Sequence, residues 1–255
     1  MAGRLEGRHV LVTGGARGIG AAIAGKALAE GALVSIIDID EAAGRELVVA
    51  LGAGKRASFN AGDVRHAADI ARALEAATKA FGPVSCLVNN AGRNVYADPA
   101  TMTEQEWEDV FAVDLKSAWL AARAVLPGMK AANRGAIVNI ASLHADLTYP
   151  GMFPYAAAKS GLVGLTRSLA LEVGPWQIRV NALSPGYVET ALVAEFFDRN
   201  GPALREKVLA AHPLGRLGTP LEIANCVVFL LSDEASFVTG ANWRVDGGLG
   251  ARFAG

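Results

Sequence analysis

His9-Val10-Leu11-Val12-Thr13-Gly14-Gly15-Ala16-Arg17-Gly18-Ile19-Gly20 is the stretch on which the fold turns. Its first residues form an apolar run of strand length, His9 to Thr13. Its glycines then interrupt the chain, and from Ile19 to Glu30 the pattern is helical until Gly31 stops it. The same alternation repeats downstream. Strands are predicted at Leu33 to Ile37, Ala57 to Asp63, Val84 to Val88, Ala136 to Ala141, Arg179 to Leu183 and Trp243 to Val245. Helices are predicted at Glu41 to Leu51, Ala67 to Phe81, Thr103 to Lys130, Tyr155 to Val173 and Pro220 to Leu231, with Thr103 and Glu106 as a capping pair. Residues 187–215 read as irregular. Strands that alternate with helices, and that are near-continuous apolar runs, require a parallel sheet covered on both faces. The expected fold is therefore α/β: a single-domain, Rossmann-like, doubly wound parallel sheet over residues 1–255.

The chain has 255 residues and 52% of them are apolar, enough for a sizeable core. Its 24 basic and 25 acidic side chains nearly cancel, and no basic run stands out, which argues against nucleic-acid binding. The N-terminal residues lack the apolar centre of a signal peptide. The stretch from Ile223 to Leu231 is too short for a membrane span and is broken by Asn225. A cytoplasmic protein is expected, with neither membrane nor nucleic acid as partner. Cys86 and Cys226 lie in apolar stretches and are expected to be buried, reduced thiols.

Gly14, Gly18 and Gly20 fall between a strand and a helix, the context in which a loop can receive a dinucleotide. Gly14 permits a tight turn. Gly18 and Gly20, flanking Ile19, remove side chains so that a pyrophosphate can approach the helix N-terminus. Asp38 closes the second strand, followed by Ile39. A carboxylate there can accept from ribose hydroxyls and repels a 2′-phosphate. Arg17, just before Gly18, argues the other way, since it can pair with that phosphate. A like charge in direct contact outweighs a mobile arginine, so NAD is the expected cofactor.

Tyr155 and Lys159 stand at i and i+4 of one helix and share a face. An ammonium that close favours phenolate over phenol, the form in which a tyrosine can exchange a proton near neutral pH. Ser142 lies thirteen residues upstream at a strand end, and Asn89-Asn90-Ala91-Gly92 sits between the two motifs.

Together, Gly14-Gly15-Ala16-Arg17-Gly18-Ile19-Gly20, Asn90-Ala91-Gly92, Ser142 and Tyr155-Ala156-Ala157-Ala158-Lys159 resemble the short-chain dehydrogenase/reductase family, from about residue 5 to Asp246-Gly247-Gly248. The resemblance implies strand order 3-2-1-4-5-6 with a seventh strand at the edge. It implies that Tyr155 exchanges the proton, that Ser142 binds the reacting oxygen, and that Lys159 supports Tyr155 and holds the nicotinamide ribose. It makes Asp63 and Val64 the adenine contact and Asn90, Ala91 and Gly92 the lining of the adenine-ribose side. Pro185, Gly186, Val188 and Thr190 become the nicotinamide segment. Where the family carries a relay asparagine, this chain has Asp114, expected to hold the relay water as an acceptor. The family's interfaces imply a homotetramer. One interface would use the small residues Ala156, Ala157, Ser160, Gly161 and Gly164, and the other Trp243, Leu249 and Phe253.

The substrate pocket is expected from Arg93, Asn94, Tyr96, His144, Tyr149, Phe153, Tyr187 and Glu189, with 187–215 as a covering loop. That polar set favours a sugar, sugar acid or polyol over a steroid or long acyl chain. The expected activity is NAD-dependent hydride transfer to or from a secondary alcohol or ketone. The alternatives are a 3-oxoacyl thioester reductase, which expects NADPH, and a non-catalytic dinucleotide sensor, which expects loss of Ser142, Tyr155 or Lys159.

Overall fold

The structure is a computed structural model that describes residues 3–251. Its centre is a parallel sheet of seven strands in the order β3-β2-β1-β4-β5-β6-β7. These are β1 (His9–Thr13), β2 (Leu33–Asp38), β3 (Ala57–Ala61), β4 (Cys86–Asn89), β5 (Gly135–Ile140), β6 (Ile178–Pro185) and β7 (Asn242–Val245). The order reverses between β1 and β4, which puts a crevice at the carboxyl ends of those strands. β1, β4 and β5 are buried along their whole length, as strands covered on both faces must be. β3 and β7 are edge strands and only half-buried.

The helices complete the two covering layers. They are α1 (Gly18–Ala29), α2 (Glu41–Ala50), α3 (Ala67–Phe81), α4 (Glu104–Phe111), α5 (Ser117–Ala131), α6 (Tyr155–Val173), α7 (Ala191–Asn200), α8 (Pro202–Ala211) and α9 (Pro220–Leu231). Ile23, Ala24 and Ala27 of α1 pack with Ile223, Val227 and Val228 of α9 on one face of the sheet. Leu120, Val125 and Met129 of α5, with Ala170 of α6 and Ile70 of α3, cover the other.

The structure corrects three expectations. Residues 191–211 are helical, not irregular: Thr190 caps α7 through Val193 N–H, Gly201 ends it at φ +84°, and Pro202 opens α8. The long helix expected from Thr103 is broken at Ala112–Lys116 by a π turn, although its capping box of Thr103 and Glu106 is present. Cys226 is half-buried, whereas Cys86 is fully buried. The capping box of α9, Thr219 with Glu222, was not anticipated. Phe253 lies outside the described residues.

Candidate active site

The glycine loop is shaped by close approach. A Cβ on Gly20 would lie 2.2 Å from the Gly14 carbonyl oxygen, and one on Gly14, which holds φ +61°, 2.7 Å from Ala91 Cα. Asn90 locks the arrangement by donating its side-chain N–H to the carbonyls of Gly14 (2.7 Å) and Thr13 (3.3 Å). Arg17 is the N-cap of α1 but gives that helix no side-chain acceptor. The first amides of α1 therefore meet a cradle walled largely by glycine backbone, which fits an anionic pyrophosphate. Thr190 overhangs it: a Cβ on Gly18 would come 3.4 Å from Thr190 Cγ2.

The other residues expected at this cleft differ in what they could offer a ligand. Asp38 accepts from the amides of Ala16 (2.9 Å) and Asp40 (3.0 Å), which ties the β2 end to the glycine loop. Ile39 is 71% exposed beside it. Asp63 commits both carboxylate oxygens to the Arg65 guanidinium, which holds the carboxyl below the usual range. Val64 is buried in the core, so only its backbone is available to a ligand. Val188 pairs with Gly218 through the Tyr187 carbonyl and the Glu189 amide. In such a parallel bridge Val188's own amide and carbonyl face away from Gly218. A Cβ on Gly186 would lie 3.0 Å from Asp246 Cα, so that turn is also closely approached.

Ser142, Tyr155, Lys159 and Asp114 come from the β5 end, α6 and the π turn. Ser142 is buried, and its Oγ accepts from His144 N–H (3.2 Å), which leaves its own hydrogen to donate. Lys159 is 4% exposed, donates to the Ile140 carbonyl (3.2 Å), and its Nζ lies 5.6 Å from the centre of the Tyr155 ring. Asp114 Oδ1 stands 3.4 Å from Lys159 Nζ and accepts from Arg93 N–H (3.1 Å). Asp114 Oδ2 is buried and has no hydrogen-bond partner among the described residues. Burial pushes the Asp114 carboxyl above the usual range, against the pull of Lys159 and the Arg93 amide. The pair closes over Gly92, where a Cβ would meet Asp114 Oδ1 at 2.9 Å and Lys159 Nζ at 3.1 Å. The π turn brings Asp114 inward at this point, as such single-turn insertions do at functional sites.

All four tyrosines of the chain gather here. Tyr96 stands edge-on to Tyr155 at 6.4 Å, and burial raises its phenol to about 12. His144 stands edge-on to Tyr149 (5.0 Å) and Tyr155 (6.1 Å), and burial lowers its pKa, favouring the neutral ring. Tyr149 Oη and Tyr187 Oη share a 2.6 Å hydrogen bond that sequence reasoning did not foresee. Tyr187 packs against Phe196 and Phe197 of α7 and His212 after α8, so the bond joins the α7–α8 segment to the loop after Ser142. Arg93 and Asn94 are exposed in the loop after Gly92. Two further expected pocket residues have neighbours outside the tyrosine cluster. Phe153 places its ring on Trp107 of α4 (5.7 Å), and the exposed Glu189 lies near the Arg216 guanidinium.

Fold and site together define an oxidoreductase of alcohols and ketones that works with a nicotinamide cofactor. The chain belongs to the short-chain dehydrogenase/reductase family. A family model described as enoyl-(acyl carrier protein) reductase matches residues 14–250. The chain is 39% identical to 2-(S)-hydroxypropyl-CoM dehydrogenase 3 of Xanthobacter autotrophicus, covering 98% of this chain and 100% of that one. It is 40% identical to a 3-oxoacyl-[acyl-carrier-protein] reductase of Escherichia coli, covering 96% and 98%. A crystal structure of a putative gluconate dehydrogenase from Agrobacterium tumefaciens superposes with a TM-score of 0.93 at 32% identity, over 98% of each chain. Among the described residues no helix is long and apolar enough to cross a membrane.

Proposed function

We propose that this protein is an NAD-dependent dehydrogenase of small polar secondary alcohols, with a sugar, sugar acid or polyol as substrate class. The observation that carries the reading is the buried Asp114–Lys159 pair set beside Tyr155, with Asp38 at the ribose end of the same crevice. The nicotinamide, when bound, accepts or supplies the hydride. In alcohol oxidation Ser142 donates a hydrogen bond to the reacting oxygen, and Tyr155 Oη takes the hydroxyl proton. The C–H bond gives up its hydride and the C=O bond forms. Lys159 stabilises the phenolate and holds the ribose hydroxyls. Asp114 accepts from the water that carries the proton outward.

The residues that would hold the cofactor are Gly14, Arg17, Gly18, Ile19, Gly20, Asp38, Ile39, Asp63, Val64, Asn90, Ala91, Gly92, Pro185, Gly186, Val188 and Thr190, with Tyr155 and Lys159. The Tyr149–Tyr187 pair supports a polar substrate. One phenol spends its hydrogen on the other, so the accepting phenol keeps an O–H for a second oxygen function of the substrate. Arg93, Asn94 and His144 complete that wall, and residues 187–215 form its cover. The protein works as a homotetramer in the cytoplasm. The test is a screen of NAD reduction against sugars, sugar acids, polyols and hydroxy acids. Turnover confined to NADPH and 3-oxoacyl thioesters would establish the second reading, which rests on relatives such as the Escherichia coli reductase.

A further inference from the structure

Asp40 belongs to no motif, yet several contacts at the ribose end of the crevice converge on it. Its Oδ2 accepts from Arg17 Nε (3.1 Å) and Nη2 (2.9 Å). Its Oδ1 accepts from Ala43 N–H (3.0 Å) and so caps α2. Its own amide donates to Asp38 Oδ1 (3.0 Å), while Asp38 Oδ2 accepts from Ala16 N–H (2.9 Å). The chain of bonds Ala16–Asp38–Asp40–Arg17 thus closes a ring between the glycine loop and the β2–α2 corner. The Arg17 side chain is 71% exposed within that ring.

We infer that Asp40 is a second determinant of cofactor choice, acting by holding Arg17 as its counter-ion and so withholding that cation from a 2′-phosphate. The inference rests on the NAD reading above. The two carboxylates have separate tasks. Asp38 meets the ribose hydroxyls, and Asp40 disarms the arginine that would otherwise favour NADP. A dinucleotide with a 2′-phosphate must break the forked Arg17–Asp40 contact and approach two carboxylates, whereas NAD leaves the ring intact. Both partners are exposed, so the effect is modest. An ion pair this exposed changes affinity by at most about fivefold.

Capping separates the ion pair from the fold. Asp40→Ser keeps a side-chain oxygen at the N-cap of α2 and removes the carboxylate. The experiment titrates NADH and NADPH by nucleotide fluorescence on the full chain as wild type, Asp40→Ser, Arg17→Met and the double variant, at low and high salt. Thermal melts check that α2 keeps its cap. Asp40→Ser is expected to tighten NADPH relative to NADH by about fivefold. That gain should shrink at high salt and be clearly smaller in the Arg17→Met background, where only the relief of charge repulsion remains. An unchanged NADPH-to-NADH ratio in Asp40→Ser overturns the inference. So does an equal gain with and without Arg17, since Asp40 would then act by bulk charge alone. Wild type that binds NADPH more tightly than NADH sinks the NAD reading instead, and the four-variant cycle still decides the role of Asp40.

Discussion

At the scale of single residues, the site depends on a buried charge pair that a phenol must feel. Tyr155→Phe removes the oxygen that exchanges the proton and little else, so turnover should fall below a hundredth while NADH binding by fluorescence stays near wild type. A variant retaining a tenth of wild-type activity would refute the assigned role. Asp114 is the chain's departure from its family's asparagine, and its burial has a pH consequence. Its carboxyl is raised in the folded protein, so the folded state binds more protons than the unfolded one in the interval above the ordinary aspartate pKa of about 3.9. Stability from this group is therefore fully present below about pH 3.9 and is lost as pH rises through the folded value. Asp114→Asn keeps the acceptor for Arg93 N–H and Lys159 but cannot ionise, so its unfolding free energy should fall less over that interval. Denaturant melts from acid to neutral pH measure the two slopes, and identical slopes would contradict the raised carboxyl. The resemblance to the family's motifs picked out Ser142, Tyr155, Lys159 and Asp114, and the last three stand together in the structure. Asp40 drew no such attention: its cap on Ala43 N–H is local, but its ion-pair partner Arg17 becomes a neighbour only when the glycine loop meets the β2–α2 corner.

At the scale of elements, the strands were legible because burial on both faces leaves an unbroken apolar run, which β1, β4 and β5 show along their full length. The segment after Pro185 was harder to read. Its helices α7 and α8 are ten residues each and bury only a small face of Phe197 and Val208 against Leu217 and Tyr187. Their boundary signals were in the sequence all along: Thr190, Gly201 and Pro202. The π turn was invisible because an inserted residue changes the helix register without changing its composition. It packs Leu115 against Gly161, where a Cβ would come 2.9 Å from Leu115 Cδ2. That packing uses one of the small residues the sequence assigned to a subunit contact. The α7–α8 segment is fastened at the phenol pair, which yields a prediction at this scale. Tyr149→Phe and Tyr187→Phe each delete a single hydrogen bond in a half-buried setting, a loss of about 1 kcal/mol. Each should raise KM for the best polar substrate by about fivefold, with a much smaller rise for a simple secondary alcohol that lacks a second oxygen. Equal changes for both substrates would show that the pair fastens the cover without contacting the ligand.

At the scale of the whole molecule, the outer face of α5 and α6 is the feature a monomer leaves unexplained. Trp119 is 45% exposed and Leu171 82% exposed. A cavity of about 430 Å³ opens between Trp119, Ala122, Arg123, Leu126, Pro127, Lys130 and Leu169. The rim is cationic: Arg123 lies 4.9 Å over the Trp119 ring and Lys130 3.8 Å over that of Trp176. A large aromatic with a basic border is a typical composition for the centre of a protein interface. Gly164 adds to it, since a Cβ there would meet nothing within 4 Å among the described residues, which leaves room for a neighbouring helix. A two-fold axis through such a face buries the same patch from both copies, and a second axis near β7, where Trp243 stacks on Phe229 at 5.4 Å, would complete a tetramer. Light scattering should therefore report four chains at micromolar concentration. Trp119→Glu places a carboxylate at the centre of the first face. It should shift the species to dimers held by the second contact, with the circular dichroism of the fold unchanged because Trp119 is half-exposed in a single chain. A wild-type monomer would remove the assembly altogether. A Trp119→Glu protein that stayed tetrameric would move the interface off this face and leave its cavity and exposed tryptophan without a partner.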